Sequence, residues 1–127
     1  MKNKTLTKKQ IEELATEIFN WLVDNKMWVD VAIYFNGKRW STNDKKCKEF
    51  CYNERRYFED KAEPKDYFEY VREPNILSMS FEGDLYDVLN GYTYGWVTKE
   101  EEFRKIFEKY GLYFELGNAW NLSCYEI

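Results

Sequence analysis

Residues 28–42 read WVDVAIYFNGKRWST, and this stretch decides the fold. Val29, Val31, Ile33 and Phe35 alternate with Asp30, Ala32 and Tyr34, the period-2 pattern of a strand with one buried face. Asn36-Gly37 then supplies two residues that tolerate positive φ, as a type I′ turn requires. A two-residue loop sets Phe35 opposite Lys38 and Ile33 opposite Trp40, so the register of the hairpin follows. Its outer face, with Asp30, Tyr34 and Arg39, is expected to be surface.

Upstream, Thr7 with Gln10 makes a capping box. Ile11, Leu14, Ala15, Ile18 and Leu22 then recur at helical spacing, predicting a helix that ends near Asn25-Lys26. Downstream, Ser41 to Asp44 are good caps, and Lys45 to Asn53 is expected to be a short helix with Cys47, Phe50 and Cys51 inward. Residues 59–66, EDKAEPKD, read as a surface loop. Tyr67–Glu73 and Ile76–Phe81 read as strands paired across Pro74-Asn75. Asp84 is expected to cap a short helix stopped by Asn90-Gly91. Thr98 and Glu101 make a second capping box for a helix ending at Gly111, with Glu100, Glu101 and Glu102 in its first turn. Leu112–Leu116 and a closing strand to Ile127 flank a turn at Gly117-Asn118.

The order α-β-β-α-β-β-α-α-β-β puts strands in hairpins with helices between them. The class is therefore α+β: a mainly antiparallel sheet of about five to six strands, two main helices on one face and two short helices. The 127 residues suffice for a single domain, 1–127. Aromatic residues make up 20% of the chain, more rings than so small a core hides, so some Tyr and Trp are expected at the surface.

The net charge of −4 is unevenly distributed. Residues 1–62 carry thirteen Lys/Arg against ten Asp/Glu, a balance of +3, and residues 63–127 carry six against thirteen, a balance of −7. An acidic second half suits a basic partner surface and argues against a simple nucleic-acid-binding module. The one basic cluster is Lys38, Arg39, Lys45, Lys46, Arg55 and Arg56, interleaved with Trp40, Tyr52 and Tyr57. Glu82, Asp84, Tyr86, Asp87, Tyr92, Tyr94 and Trp96 lie within fifteen residues, and their mixture of acid and rigid aromatic groups is the candidate protein interface.

Cys47, Cys51 and Cys124 follow a charged start that lacks an apolar run, so reduced thiols and a cytoplasmic location are expected, with no membrane span. Histidine is absent, which removes Ser-His and Cys-His nucleophile pairs and imidazole metal sites. No phosphate-cradling glycine motif occurs. Neither catalytic residues nor a cofactor or metal is expected. Asp84 with Asp87, or Glu82 with Asp84, leaves a metal-dependent carboxylate enzyme as one alternative.

The stretches SMSFEGDLYDVLNGY (78–92) and FRKIFEKYGLYFELGNAWNLSCYEI (103–127) resemble small accessory proteins of phages and conjugative elements of low-GC bacteria. Ten Asn and fourteen Lys agree with an AT-rich genome. The resemblance implies a non-catalytic inhibitor of host defence, of the anti-CRISPR or anti-restriction type, that binds a larger nucleic-acid enzyme. The other alternative is a nucleic-acid-binding module using the Lys38–Arg56 patch. The sequence leaves the target and the oligomeric state open, a dimer included.

Overall fold

A computed structural model describes residues 6–46, 48–68 and 75–127. In chain order these form α1 (Lys8–Asp24), β1 (Val31–Phe35), β2 (Lys38–Ser41), β3 (Phe58–Lys61), a 3-10 turn (Pro64–Asp66), β4 (Leu77–Phe81), α2 (Asp84–Leu89), α3 (Trp96–Glu108), β5 (Leu112–Asn118) and β6 (Asn121–Glu126). The six strands make one sheet in the order β3-β2-β1-β4-β6-β5, and every pairing is antiparallel. The class is α+β.

The hairpin forms as its residues require. Asn36 and Gly37 take φ of 51° and 78°, Phe35 pairs with Lys38, and Ile33 pairs with Trp40. Its strand begins at Val31, because Asp30 takes a left-handed φ of 54° and breaks the alternation. The capping box at Thr7 is also present in full: Gln10 N–H donates to Thr7 Oγ1 at 3.1 Å and Thr7 N–H to Gln10 Oε1 at 2.9 Å.

The helices cover one sheet face. There Leu14, Ile18 and Leu22 of α1 and Phe103 and Phe107 of α3 meet Ile33, Met79, Phe81 and Leu122 of the sheet in one buried cluster. Trp28 fills the gap between α1 and β1. It is fully buried, its ring edge-on to Phe19 at 5.0 Å, and its indole N–H donates to Arg56 O at 3.0 Å.

Several expectations are corrected. All five residues of β1 are buried, because the strand lies inside the sheet between β2 and β4. The face away from the helices is therefore no plain surface: Tyr34 packs with Ala32, Ala62, Phe68 and Trp120 in a second small core. Lys45–Asn53 forms no helix among its described residues. Asp44 Oδ1 instead accepts from Lys48 and Glu49 N–H, and Asn43 bridges to Phe50. This is the local side-chain-to-backbone bonding with which Asp competes against helix. The inner residues separate too: Phe50 is exposed and Cys51 buried, while Cys47 lies outside the described residues.

Part of the expected 59–66 loop is strand β3, paired with β2. The strand expected at 67–73 falls mostly on 69–74, outside the described residues, and Tyr67 and Phe68 belong to a turn. The two edges of β4 are held by β1 and β6. Asp84 is the first residue of α2 rather than its cap, which is Gly83. Helix α3 starts at Trp96 behind a left-handed Gly95, so Thr98 caps nothing and the three glutamates lie past the first turn. Glu100 and Glu101 instead pair with Arg104 and Lys105 one turn on. The last hairpin turns at Ala119-Trp120, and Gly117 sits at a bulge.

Candidate functional site

The acidic and aromatic candidates lie on the segment that leaves β4, crosses α2 and enters α3. Gly83 seats this segment: its backbone approaches Val29 so closely that a Cβ there would stand 2.5 Å from the Val29 carbonyl oxygen. Next to it, Glu82 N–H donates to Asp30 O at 3.1 Å. Leu85 and Val88 of α2 are buried, which turns the remaining faces of the helix outward.

Three of the expected residues form a continuous row. Glu82 and Tyr86 line a shallow groove with Trp120, and Tyr86 stacks on Tyr92 with ring centres 6.1 Å apart. Trp96 lies against Gly91, whose left-handed φ of 75° ends α2. The turn between α2 and α3 then presents an apolar knob. Tyr92 is 71% exposed, Val97 57%, and Tyr94 has its whole side chain in solvent. Asp84 is exposed and Asp87 half-buried, the latter receiving Tyr92 N–H at its carbonyl oxygen at 2.8 Å. Ahead of the knob in sequence stand Glu82, Asp84 and Asp87; beyond it, Glu100 and Glu101 pair with Arg104 and Lys105, and Glu102 accepts the Trp21 indole N–H at 3.1 Å. Trp120 was missed in the sequence because it sits in the β5–β6 turn, thirty-four residues beyond Tyr86.

The basic residues do not assemble into one surface. Lys38 and Arg39 project to opposite faces of β2. Lys38 Nζ lies on the helix side, 3.2 Å from Glu12 Oε1, and Arg39 lies on the other side in a two-point bond to Asp60, with Nε 2.9 Å from Oδ1 and Nη2 2.5 Å from Oδ2. Asp60 and the Tyr34 hydroxyl both favour the charged guanidinium, so Arg39 titrates above its ordinary range. Arg55 is held by Asp24 and Asn20 at the end of α1, and Arg56 by Glu54. Lys45 and Lys46 are exposed on the turn that replaces the expected helix.

The face away from the helices also carries a polar cleft of about 380 Å³, lined by Asp30, Tyr34, Arg39, Thr42, Ser80 and Glu82 among others. Its floor is a row of polar contacts running from Asp60 through Arg39 and Tyr34 to Ser80. Burial raises the Tyr34 hydroxyl above its usual range, against the opposing pull of Arg39. Glu82 borders both this cleft and the groove at Trp120, joining the two surfaces.

Among the described residues, no group of three or more Asp, Glu or Cys is placed to hold a metal ion. Cys51 and Cys124 are buried free thiols, and burial pushes both above the ordinary thiol range, Cys124 to about 12. In a Cys47→Ser background, neither thiol is expected to react with a disulfide reagent at pH 8 until denaturant is added. Rapid labelling of the native protein, followed spectrophotometrically, would contradict this assignment. No described helix is long and apolar enough to cross a membrane.

No family model matches the chain, and no curated protein or solved structure is significantly similar to it.

Proposed function

We propose that this chain is a non-catalytic binding protein that engages a basic surface of a larger protein through the segment 82–97 and Trp120. The observation that carries the reading is the exposed apolar knob of Tyr92, Tyr94, Trp96 and Val97, which follows the carboxylates Glu82, Asp84 and Asp87 along the chain. Exposed aromatic groups that fill a partner's pocket supply most of the energy of an interface, and a charged rim sets partner choice and association rate. The resemblance of 78–92 and 103–127 to phage and conjugative-element accessory proteins supports a nucleic-acid enzyme of host defence as the target, since such enzymes carry basic channels. The basic cluster favours a nucleic-acid-binding reading less, because Lys38, Arg39, Arg55 and Arg56 are each already paired with a carboxylate.

Two variants test the proposal in a capture experiment on bacterial lysate. Glu82, Asp84 and Asp87, all changed to Lys, should abolish capture of a partner that the wild type retains at low salt. Lys45 and Lys46, both changed to Glu, should leave capture intact. Binding that survives the triple reversal, or single-stranded RNA retained on a filter by the wild type alone, would overturn the reading.

A further inference from the structure

Three separate pieces of chain meet at the groove of Glu82, Tyr86 and Trp120, and short contacts hold them there. Phe81 N–H donates to Trp120 O at 2.8 Å, tying the end of β4 to the β5–β6 turn. Asn90 spans the other gap. Its Nδ2 donates to Tyr86 O at 2.9 Å and to Ala119 O at 2.8 Å, so one amide fastens α2 to the same turn. The Trp120 ring stands edge-on to Phe68 with centres 5.7 Å apart, and its backbone N–H reaches Asn118 Oδ1 at 2.9 Å. The walls are thus set before anything binds, which spares a ligand the cost of ordering them.

We infer that this groove receives an arginine side chain projecting from a protein partner, its guanidinium paired with Glu82 and lying against the Tyr86 and Trp120 rings. This rests on the reading of 82–97 and Trp120 as a protein-binding surface, and adds the chemistry of what enters it. Glu82 is exposed at the groove, and among the described residues nothing bonds to or pairs with its carboxylate. Neighbouring carboxylates differ: Asp30 accepts the Tyr52 O–H at 2.5 Å, and Asp60 is engaged by Arg39. An unpaired carboxylate beside two half-buried rings is complementary to a cation that also has an apolar face.

The chemistry selects guanidinium over ammonium. A guanidinium is planar and weakly hydrated, stacks on aromatic faces, and meets a carboxylate through two parallel N–H bonds. An ammonium is a compact, strongly hydrated point charge and gains less from flat walls. Size agrees: about 310 Å³ lies at the small end of ligand clefts, room for one long side chain. The protein builds the same arrangement from its own residues. Arg39 lies over the Tyr67 ring, 4.7 Å from its centre, while forked to Asp60. Arg104 lies over the Phe114 ring at 5.2 Å while pairing with Glu100. Glu82, Tyr86 and Trp120 supply the carboxylate and the rings of a third such set.

Titration of the isotope-labelled full chain with hexa-arginine and, separately, hexa-lysine tests the inference through the Trp120 indole N–H resonance. The two peptides carry equal charge, so general attraction to an acidic chain cancels in the comparison. Hexa-arginine is expected to move that resonance and to bind about tenfold more tightly than hexa-lysine. Glu82→Gln and Trp120→Leu are each expected to remove most of the preference. Equal binding of the two peptides, a Trp120 signal that stays still, or a preference undiminished in either variant overturns the inference. Should Trp120→Leu not fold, Glu82→Gln decides, since the exposed carboxylate takes no part in the core. Partner capture enters none of these outcomes. A chain that prefers arginine and captures nothing keeps this inference and loses the proposed function, and the reverse result separates the two equally.

Discussion

Replacing Trp28 by alanine is expected to cost about 3–5 kcal/mol of folding stability, the range for deleting a large buried ring. The indole is fully buried at the junction of α1, β1 and the 51–57 turn. It stands edge-on to Phe19 and donates to Arg56 O at 3.0 Å, while the Trp28 backbone N–H donates to Asn53 Oδ1, again at 3.0 Å. Truncation therefore opens a cavity and removes the indole donor from Arg56 O, two penalties that act together. Against a total stability of about 5–15 kcal/mol for a domain of this size, the loss is large. Urea titration followed by the change in midpoint at constant slope checks it. Trp28→Phe, which keeps most of the volume and loses the N–H, should cost clearly less. Equal losses for the two variants would show that packing is not the main term.

Gly83→Ala is the second. Its added methyl group would lie 2.5 Å from the Val29 carbonyl oxygen and 3.3 Å from the Val29 carbonyl carbon, both backbone atoms with no freedom to swing aside. Either β4 or the Val29–Asp30 bend must move. The expected cost is about 3 kcal/mol, the upper end for overpacking in a well-packed site. The effect should extend to binding, because Gly83 lies between Glu82 and Asp84 and sets where α2 and the aromatic turn sit. Thermal melts and partner capture by the same variant check both halves, and a variant as stable as the wild type would contradict the close approach. Gly91→Ala offers a comparison: its φ of 75° strains any side chain, but its Cβ would meet only the edge of Trp96 at 3.5 Å. Its cost should be about 1 kcal/mol, and the two glycines can thus be told apart by magnitude.

The sequence was most informative where structure is local. The 28–42 hairpin, the Thr7 capping box and the closing strand all follow from residues within a few positions of one another. The errors arose where distant partners decide. β3 is a strand because β2 offers it a partner: Glu59 accepts the Trp40 indole N–H at 2.8 Å and Asp60 takes the Arg39 fork. Nothing within FEDK itself signals a strand. The buried state of Tyr34 depends on Phe68 and Trp120, which reach it from far along the chain. At 45–53 the capping residues were read correctly as good acceptors, but Asp44 uses its carboxylate to close a loop instead of starting a helix. The candidate interface was legible as composition, and its exposed aromatic turn lies where the glycines and tyrosines suggested. Its continuation to Trp120 was not legible, because that contact spans the sheet.

The strand order carries a consequence for long-range electrostatics. Strands β1, β2 and β3 come from the basic first half of the chain and occupy one side of the sheet. Strands β4, β6 and β5 come from the acidic second half and occupy the other. An imbalance along the sequence becomes a separation of charge across the width of the molecule, an electric dipole lying in the plane of the sheet and across its strands. Such a dipole orients a protein during diffusional approach to any charged body, turning its acidic side toward positive charge.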